Sequence, residues 1–162
     1  MKRIICFMFA GIMAITTIFA SVTFCENQTR CTAEDIATDL LDNINELRRE
    51  KGLTAVELSD HHNDIAVIRA KELAKQWSHT RPNGTKWSTL FEKKYDSAYK
   101  GENLAYCQGV NSDRVASVMF KNLCESDAHY DNMVFKDFKY IGIAVYKIGD
   151  SYYSAMEFCS KQ

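Results

Sequence analysis

Tyr140-Ile141-Gly142-Ile143-Ala144-Val145-Tyr146 and the run from Tyr152 to Cys159 are the stretches whose reading decides the class of fold. Both alternate in side-chain character with the two-residue period of a strand. Gly149-Asp150 lies between them and supplies a tight turn, so the two runs predict a β-hairpin. Everything upstream is dominated by helical spacing. Helices first and an antiparallel hairpin last is the order of an α+β domain.

Outward from the hairpin, the helices announce themselves by caps and periodicity. Thr32 with Asp35 three residues on forms a capping-box pattern, and Ile36, Leu40, Leu41, Ile44 and Leu47 follow at helical steps. Lys51-Gly52 closes that helix. Ser59 or Asp60 caps a second, whose face is drawn by Ala66, Ala70, Leu73 and Trp77. His61 and His62 fall in its first turn, where the dipole disfavours an imidazolium, and adjacent helix positions point apart. They read as structural residues. Ser78-His79-Thr80-Arg81-Pro82-Asn83-Gly84 then breaks the pattern. Pro82 disfavours helix at Arg81, which predicts the helix end there, and Asn83-Gly84 reads as a turn. Taken alone, His79 is a surface histidine at a helix C-terminus. Trp87, Leu90, Phe91 and Tyr95 suggest a short third helix. In Gly101-Glu102-Asn103-Leu104-Ala105 the apolar pair seeks burial and draws Glu102 towards the interior or a cleft edge; a solvated turn is the equal alternative. Ser112 and Asp113 open a fourth helix carrying Val115, Val118, Met119 and Leu123, which ends near Glu125-Ser126-Asp127-Ala128-His129.

The chain of 162 residues suits one domain with a real core. Met1-Lys2-Arg3 precedes an apolar run from Ile4 to Ala20, the pattern of a secretory signal peptide over 1–20. A polar arm over 21–31 and a single domain over 32–162 complete the expected organisation. An uncleaved anchor is the alternative for the first segment and the only membrane attachment the sequence suggests. Without residues 1–20 the chain carries 18 basic and 21 acidic side chains, a net charge of −3. That balance gives no basic surplus for a nucleic-acid partner. No glycine-rich phosphate loop appears, so a nucleotide is not expected, and neither G-x-S-x-G nor H-E-x-x-H occurs. Five cysteines remain beyond residue 20, with no C-x-x-C pair among them. Export permits disulfides, and Cys107 with Cys124 and Cys31 with Cys159 is one arrangement among several.

Four residues are left that carry chemistry: His79, Glu102, Glu125 and His129. Two imidazoles and two carboxylates can bind a divalent ion or move protons. Their spacing does not show that they converge.

Four blocks of the chain resemble the CAP superfamily of cysteine-rich secretory, antigen 5 and pathogenesis-related proteins, most closely its compact bacterial secreted branch. The blocks are Arg69-Ala70-x-Glu72, Ser78-His79-Thr80-Arg81-Pro82-Asn83-Gly84, Gly101-Glu102-Asn103-Leu104-Ala105, and Ser126-x-x-His129-x-x-Asn132 with Tyr140-Ile141-Gly142-Ile143. The resemblance implies an α/β/α sandwich with a three-stranded antiparallel sheet between helices. It also implies that His79, Glu102 and His129 line one cleft. The family's tetrad has a second acidic residue; here Glu125 is the neighbouring carboxylate, and Leu123-x-x-Ser126 stands where the bacterial branch often has Trp-x-x-Ser. The function this implies is a secreted, extracellular binding module. His79 and His129 would hold a divalent cation such as zinc, with Glu102 as a nearby carboxylate or orienting group and Asn103 fixing the local backbone. One alternative is a metal-assisted, protease-like hydrolase using His79, Glu102 and His129, with Ser126 a conceivable nucleophile. Another is lipid or sterol binding. The expected partner is an extracellular protein or a lipid.

Overall fold

The computed structural model describes residues 31–162. The expected signal peptide and residues 21–30 of the arm, with Cys6 and Cys25, lie outside the described residues. The elements are α1 (Ala33–Glu50), β1 (Glu57–Leu58), α2 (Asp60–Leu73), β2 (Lys100–Gln108), α3 (Val115–Cys124), α4 (Asp127–Met133), β3 (Tyr140–Ile148) and β4 (Ser151–Cys159). They form an α+β sandwich. The sheet runs β1-β3-β4-β2, with α2 on one face and α1, α3 and α4 on the other. The expected hairpin is β3–β4, paired from Tyr140↔Cys159 to Ile148↔Ser151.

The sheet has four strands where three were expected. The extra one, β1, is only Glu57-Leu58 and pairs in parallel with Tyr140-Ile141. Both of its residues are exposed, so no burial pattern could have marked it. The third helix expected around Trp87–Tyr95 is instead two 3₁₀ turns, Trp87–Leu90 and Lys93–Tyr95. Its aromatic residues do serve the core: Phe91 and Tyr95 are buried with Ile65 and Cys159. The fourth helix breaks at Glu125-Ser126 and restarts as α4. Helix α2 ends at Leu73, well before Pro82, and Trp77 lies beyond it with half its surface exposed. Beyond the helix, Arg69 Nη2 donates to the Ser78 carbonyl at 2.7 Å and holds the following chain back against α2.

Alternation along the strands sorts the interior into two layers. Ile141, Ile143, Met156 and Phe158 face α1 and α3, joining Ile36, Leu40, Ile44, Met119 and Leu123. Leu104, Ala144 and Ala155 face α2 and meet Ala66, Ala70 and Leu73. The small residues of α2 permit a close approach to β3, closest at Gly142. A Cβ placed there would lie 2.1 Å from the His62 carbonyl carbon and oxygen. His62 itself is buried beside Phe91, Tyr95 and Tyr140, with neither ring nitrogen hydrogen-bonded. Burial first, then the neighbouring His61 and Lys94, pushes its pKa down to about 4, so it is a neutral core residue.

Among the described residues, Cys31, Cys107, Cys124 and Cys159 form no disulfide with one another. The Cys31–Cys159 pairing fails on topology. Cys31 packs against the layer containing α1 and α3, whereas Cys159 is buried in the layer on the α2 side. Cys107 and Cys124 share one layer yet are unbonded. Arg48 does the fastening in this layer. Fully buried, it donates to the carbonyls of Thr54, Met133, Phe135 and Phe138 at 2.8–3.1 Å. It thereby ties the end of α4 to α1 and sets the position of His129. Among the described residues no helix is long and apolar enough to cross a membrane.

Candidate functional site: a buried ladder of basic and acidic side chains beside β2

The site is built on Arg69, which α2 points into the sheet from among its alanines. Arg69 Nε donates to Glu102 Oε2 at 2.7 Å and Nη1 to Glu72 Oε2 at 2.7 Å. Glu72 in turn accepts from Arg81 Nε and Nη2, the shortest contact being 2.7 Å. Glu102 Oε1 bonds His79 Nδ1 at 2.7 Å. The result is a ladder of alternating basic and acidic side chains, Arg81–Glu72–Arg69–Glu102–His79, that runs from the surface to the interior and out again. Burial alone would raise the Glu72 pKa, but the Arg81 and Arg69 guanidiniums override it and hold the carboxyl below its ordinary range. Burial likewise works against the charge on Arg69, and the Glu102 and Glu72 carboxylates override it.

The loop that carries His79 is a small hairpin. Thr80 bridges to Lys86, Arg81 N donates to Thr85 O at 2.8 Å, and Gly84 takes φ 84° at the expected Asn83-Gly84 turn. Trp87 N donates to the His79 carbonyl at 3.2 Å, which pins the backbone of the histidine. With Nδ1 committed to Glu102, Nε2 is left for the cleft, and the His79 side chain is 55% exposed.

Glu102 and Asn103 sit next to each other on β2 and so point to opposite faces. Glu102 faces α2 and is fully buried on its side chain. Asn103 faces α4: its Nδ2 donates to the His129 carbonyl at 2.9 Å, and its Oδ1 accepts from Asn132 Nδ2 at 2.9 Å. One dipeptide therefore anchors the histidines from both sides of the sheet. His129 is half-buried. Burial first, and then the charge of His79, lowers its pKa. His129 also borders a cavity of about 570 Å³ that runs along β2 between Leu73 and Trp77 on one side and Leu123 on the other. His79 and Glu102 are not among the residues lining that cavity.

Of the residues expected at the site, His79 and Glu102 are bonded, and His129 stands within electrostatic reach. Glu125 is elsewhere: its side chain is 63% exposed and faces Lys121 at 3.7 Å on the outside of α3. It is a surface pair because α3 ends at Cys124 and the chain turns there. Ser126 precedes α4 and makes no side-chain capping bond. Among the described residues, no group of three or more His, Cys, Asp or Glu side chains is placed to hold a metal ion.

One participant is absent from the sequence reading. Glu157 pairs with Glu102 across β2–β4, lies on the same sheet face, and is fully buried. Neither of its carboxyl oxygens has a hydrogen-bond partner. Burial, then the Glu102 charge, raises its pKa well above the ordinary value. The signal was a lone acid in the alternating run Tyr153-x-Ala155-x-Glu157-x-Cys159, on the face that packs against α2. Its raised folded-state pKa has a definite consequence. The folded chain holds this proton where the unfolded chain releases it, so stability falls as pH rises above about 4.3, by at most ~1.4 kcal/mol per pH unit. Glu157→Gln removes that loss. The variant is expected to match wild type near pH 4 and to exceed it increasingly as pH rises from there, until Glu157 itself titrates in the fold, as urea midpoints would record. A constant difference across that range would show that Glu157 is not protonated in the fold.

An α+β sandwich in which Glu102 and Asn103 of β2 bond His79 and the His129 carbonyl from opposite faces defines the class, and sequence comparison agrees. The pattern of the CAP family, the cysteine-rich secretory protein family, matches residues 41–160. The chain belongs to this family. None of the curated proteins matches it in sequence. Among solved structures, an outer surface protein of Borrelia burgdorferi is similar at TM-score 0.65 and 20% identity, over 82% of this chain and 97% of that one. An extracellular SCP-domain protein of Bacillus anthracis is similar at TM-score 0.65 and 20% identity, over 80% of this chain. This chain spans only 41% of that protein's length. NaASP2, solved with Zn²⁺, is similar at TM-score 0.58 and 15% identity, over 81% of this chain and 82% of that one. At these identities the likeness is one of fold.

Proposed function

We propose that this CAP domain acts outside the cell as a binding module, and that its cleft presents His79 and His129 to a divalent cation such as zinc. The observation that carries this is the 2.7 Å bond from Glu102 to His79 Nδ1. A carboxylate on one ring nitrogen orients the imidazole and makes the other nitrogen a better metal ligand. Glu102 is already engaged by Arg69 and His79, so it orients and does not ligate. The donor set suits an open site: two imidazoles, with the remaining positions for water or an incoming ligand. The Zn²⁺ in NaASP2, a fold relative, and the descriptions of the bacterial relatives as extracellular or outer surface proteins support the same reading.

Calorimetric titration of zinc into the domain tests it. Wild type is expected to bind one equivalent, and the His79→Ala/His129→Ala double variant to lose about tenfold or more in affinity. Burial first, and then His79, lowers the proton affinity of His129, so protons compete less for that nitrogen than for a free histidine. Equal heats from wild type and double variant would remove the cation from the proposal. In the alternative reading, a metal-assisted hydrolase using His79, Glu102 and His129, water would be the nucleophile, since Ser126 is not joined to either histidine by a hydrogen bond.

A further inference from the structure

We propose that the cavity beside β2 takes an extended peptide, which pairs with the edge of the sheet as an added strand. This rests on the cleft being a binding site and specifies what lies along it. β2 is the last strand in the order β1-β3-β4-β2, so one of its edges is unpaired among the described residues. Which peptide groups face that edge follows from the register. Just outside the strand, Tyr99 O accepts from Ser160 N and Gly109 N donates to Asp150 O, both towards the β4 side. Odd-numbered residues of β2 therefore spend their N–H and C=O on β4, and even-numbered residues turn theirs outwards. Glu102 bears this out. Its carbonyl accepts from Asn132 Nδ2 at 3.4 Å, from the α4 side. Asn132 thus caps the edge at Glu102, and the next two outward positions, Leu104 and Tyr106, have no hydrogen-bond partner for their peptide groups among the described residues.

These two positions border the cavity. Ala105, between them, is also a lining residue although its side chain belongs to the core on the far layer, so it is the main chain of β2 that bounds the space. The walls suit alternating side chains. On one side stand Leu73, Trp77 and Tyr153, with Trp77 and Tyr106 ring centroids 5.9 Å apart. On the other stand Leu123 and His129. An acyl chain would fill such walls, but it would cover the Leu104 and Tyr106 amides and carbonyls without pairing them, at a desolvation cost. An extended peptide satisfies both, with main-chain bonds giving affinity and alternate side chains giving selectivity.

Four blocked hexapeptides, alternating valine with serine, lysine, glutamate or leucine, test the inference against the ¹⁵N-labelled domain up to millimolar concentration. At least one is expected to bind and to slow hydrogen exchange of the Leu104 and Tyr106 amides by about tenfold or more. Two complementary versions of that peptide, N-methylated at alternate residues, should then separate. The version methylated on the pairing edge should weaken by about tenfold, and the other should keep its affinity. Equal binding by both versions, or binding without amide protection, would overturn strand addition while leaving the cleft a binding site. Failure of all four peptides would also overturn it, and a shift of the Leu104 amide by lauric acid in that case would assign the groove to lipid. Zinc calorimetry on the same sample reports separately whether the histidine reading holds.

Discussion

Arg69→Ala is expected to cost about 3–5 kcal/mol of folding stability, a large share of what a domain of this size has. The side chain is fully buried and touches three partners: Glu102, Glu72 and the Ser78 carbonyl. Removing it leaves the Glu102 carboxylate inside the protein with Glu157 beside it across the strands and only His79 still bonded. An uncompensated buried charge is costly because the interior solvates it poorly. The loss should appear as a lowered urea midpoint with little change in slope. Arg69→Lys should fall between, since one ammonium cannot present the fork that reaches all three partners. Combining Arg69→Ala with Glu102→Gln should recover part of the loss. A cost below about 1 kcal/mol for Arg69→Ala would mean that water enters and solvates the ladder. The same substitution should loosen the chain at Ser78, whose carbonyl loses its partner, while Arg81 still pairs with Glu72 of α2.

Gly142→Ala is the second large effect, and its cause is steric. The added Cβ would sit 2.1 Å from the His62 carbonyl group and 2.4 Å from Asn63 N, all main-chain atoms in the first turn of α2. No side-chain rotation relieves such a clash, so α2 must lift off β3. The movement would also break the bond from Ile143 N to Asn63 Oδ1, now 3.2 Å. We expect a loss of about 3 kcal/mol or more. Gly149→Ala provides the contrast. Nothing lies within 4 Å of that position, and its positive φ of 59° alone should cost about 1–2 kcal/mol. If the two substitutions proved equally mild, the α2–β3 contact would not be as close as described.

Much of this architecture was legible before any coordinates. The capping box Thr32/Asp35 is formed as the sequence suggested, and the Tyr140–Cys159 hairpin has the expected alternation. Local chemistry suffices for such features, because a cap, a turn or a two-residue period acts between near neighbours. Where the sequence reading failed, a long-range contact had overruled a local one. Trp77 continues the apolar spacing of α2, yet the helix ends at Leu73 and the chain beyond it is held back by the Arg69–Ser78 bond. Glu125 lies beside the cleft histidine in sequence, but the break between α3 and α4 turns it to solvent. Cys31 and Cys159 could pair on paper and are separated by the sheet.

The sequence by itself determined the α+β class, the hairpin, the tight turn at Asn83-Gly84 and, through the CAP resemblance, which histidines and which glutamate to watch. It could not decide whether Glu102 faces water or the interior, because one carboxylate in an apolar run satisfies either. Only the tertiary structure decided that, by setting Arg69 of α2 opposite β2 so that the buried charge has a partner. The same placement brought Glu157 against Glu102 and turned the peptide groups of Leu104 and Tyr106 away from β4. Each of these depends on which strand lies beside which, and strand order is fixed by the packing of whole faces.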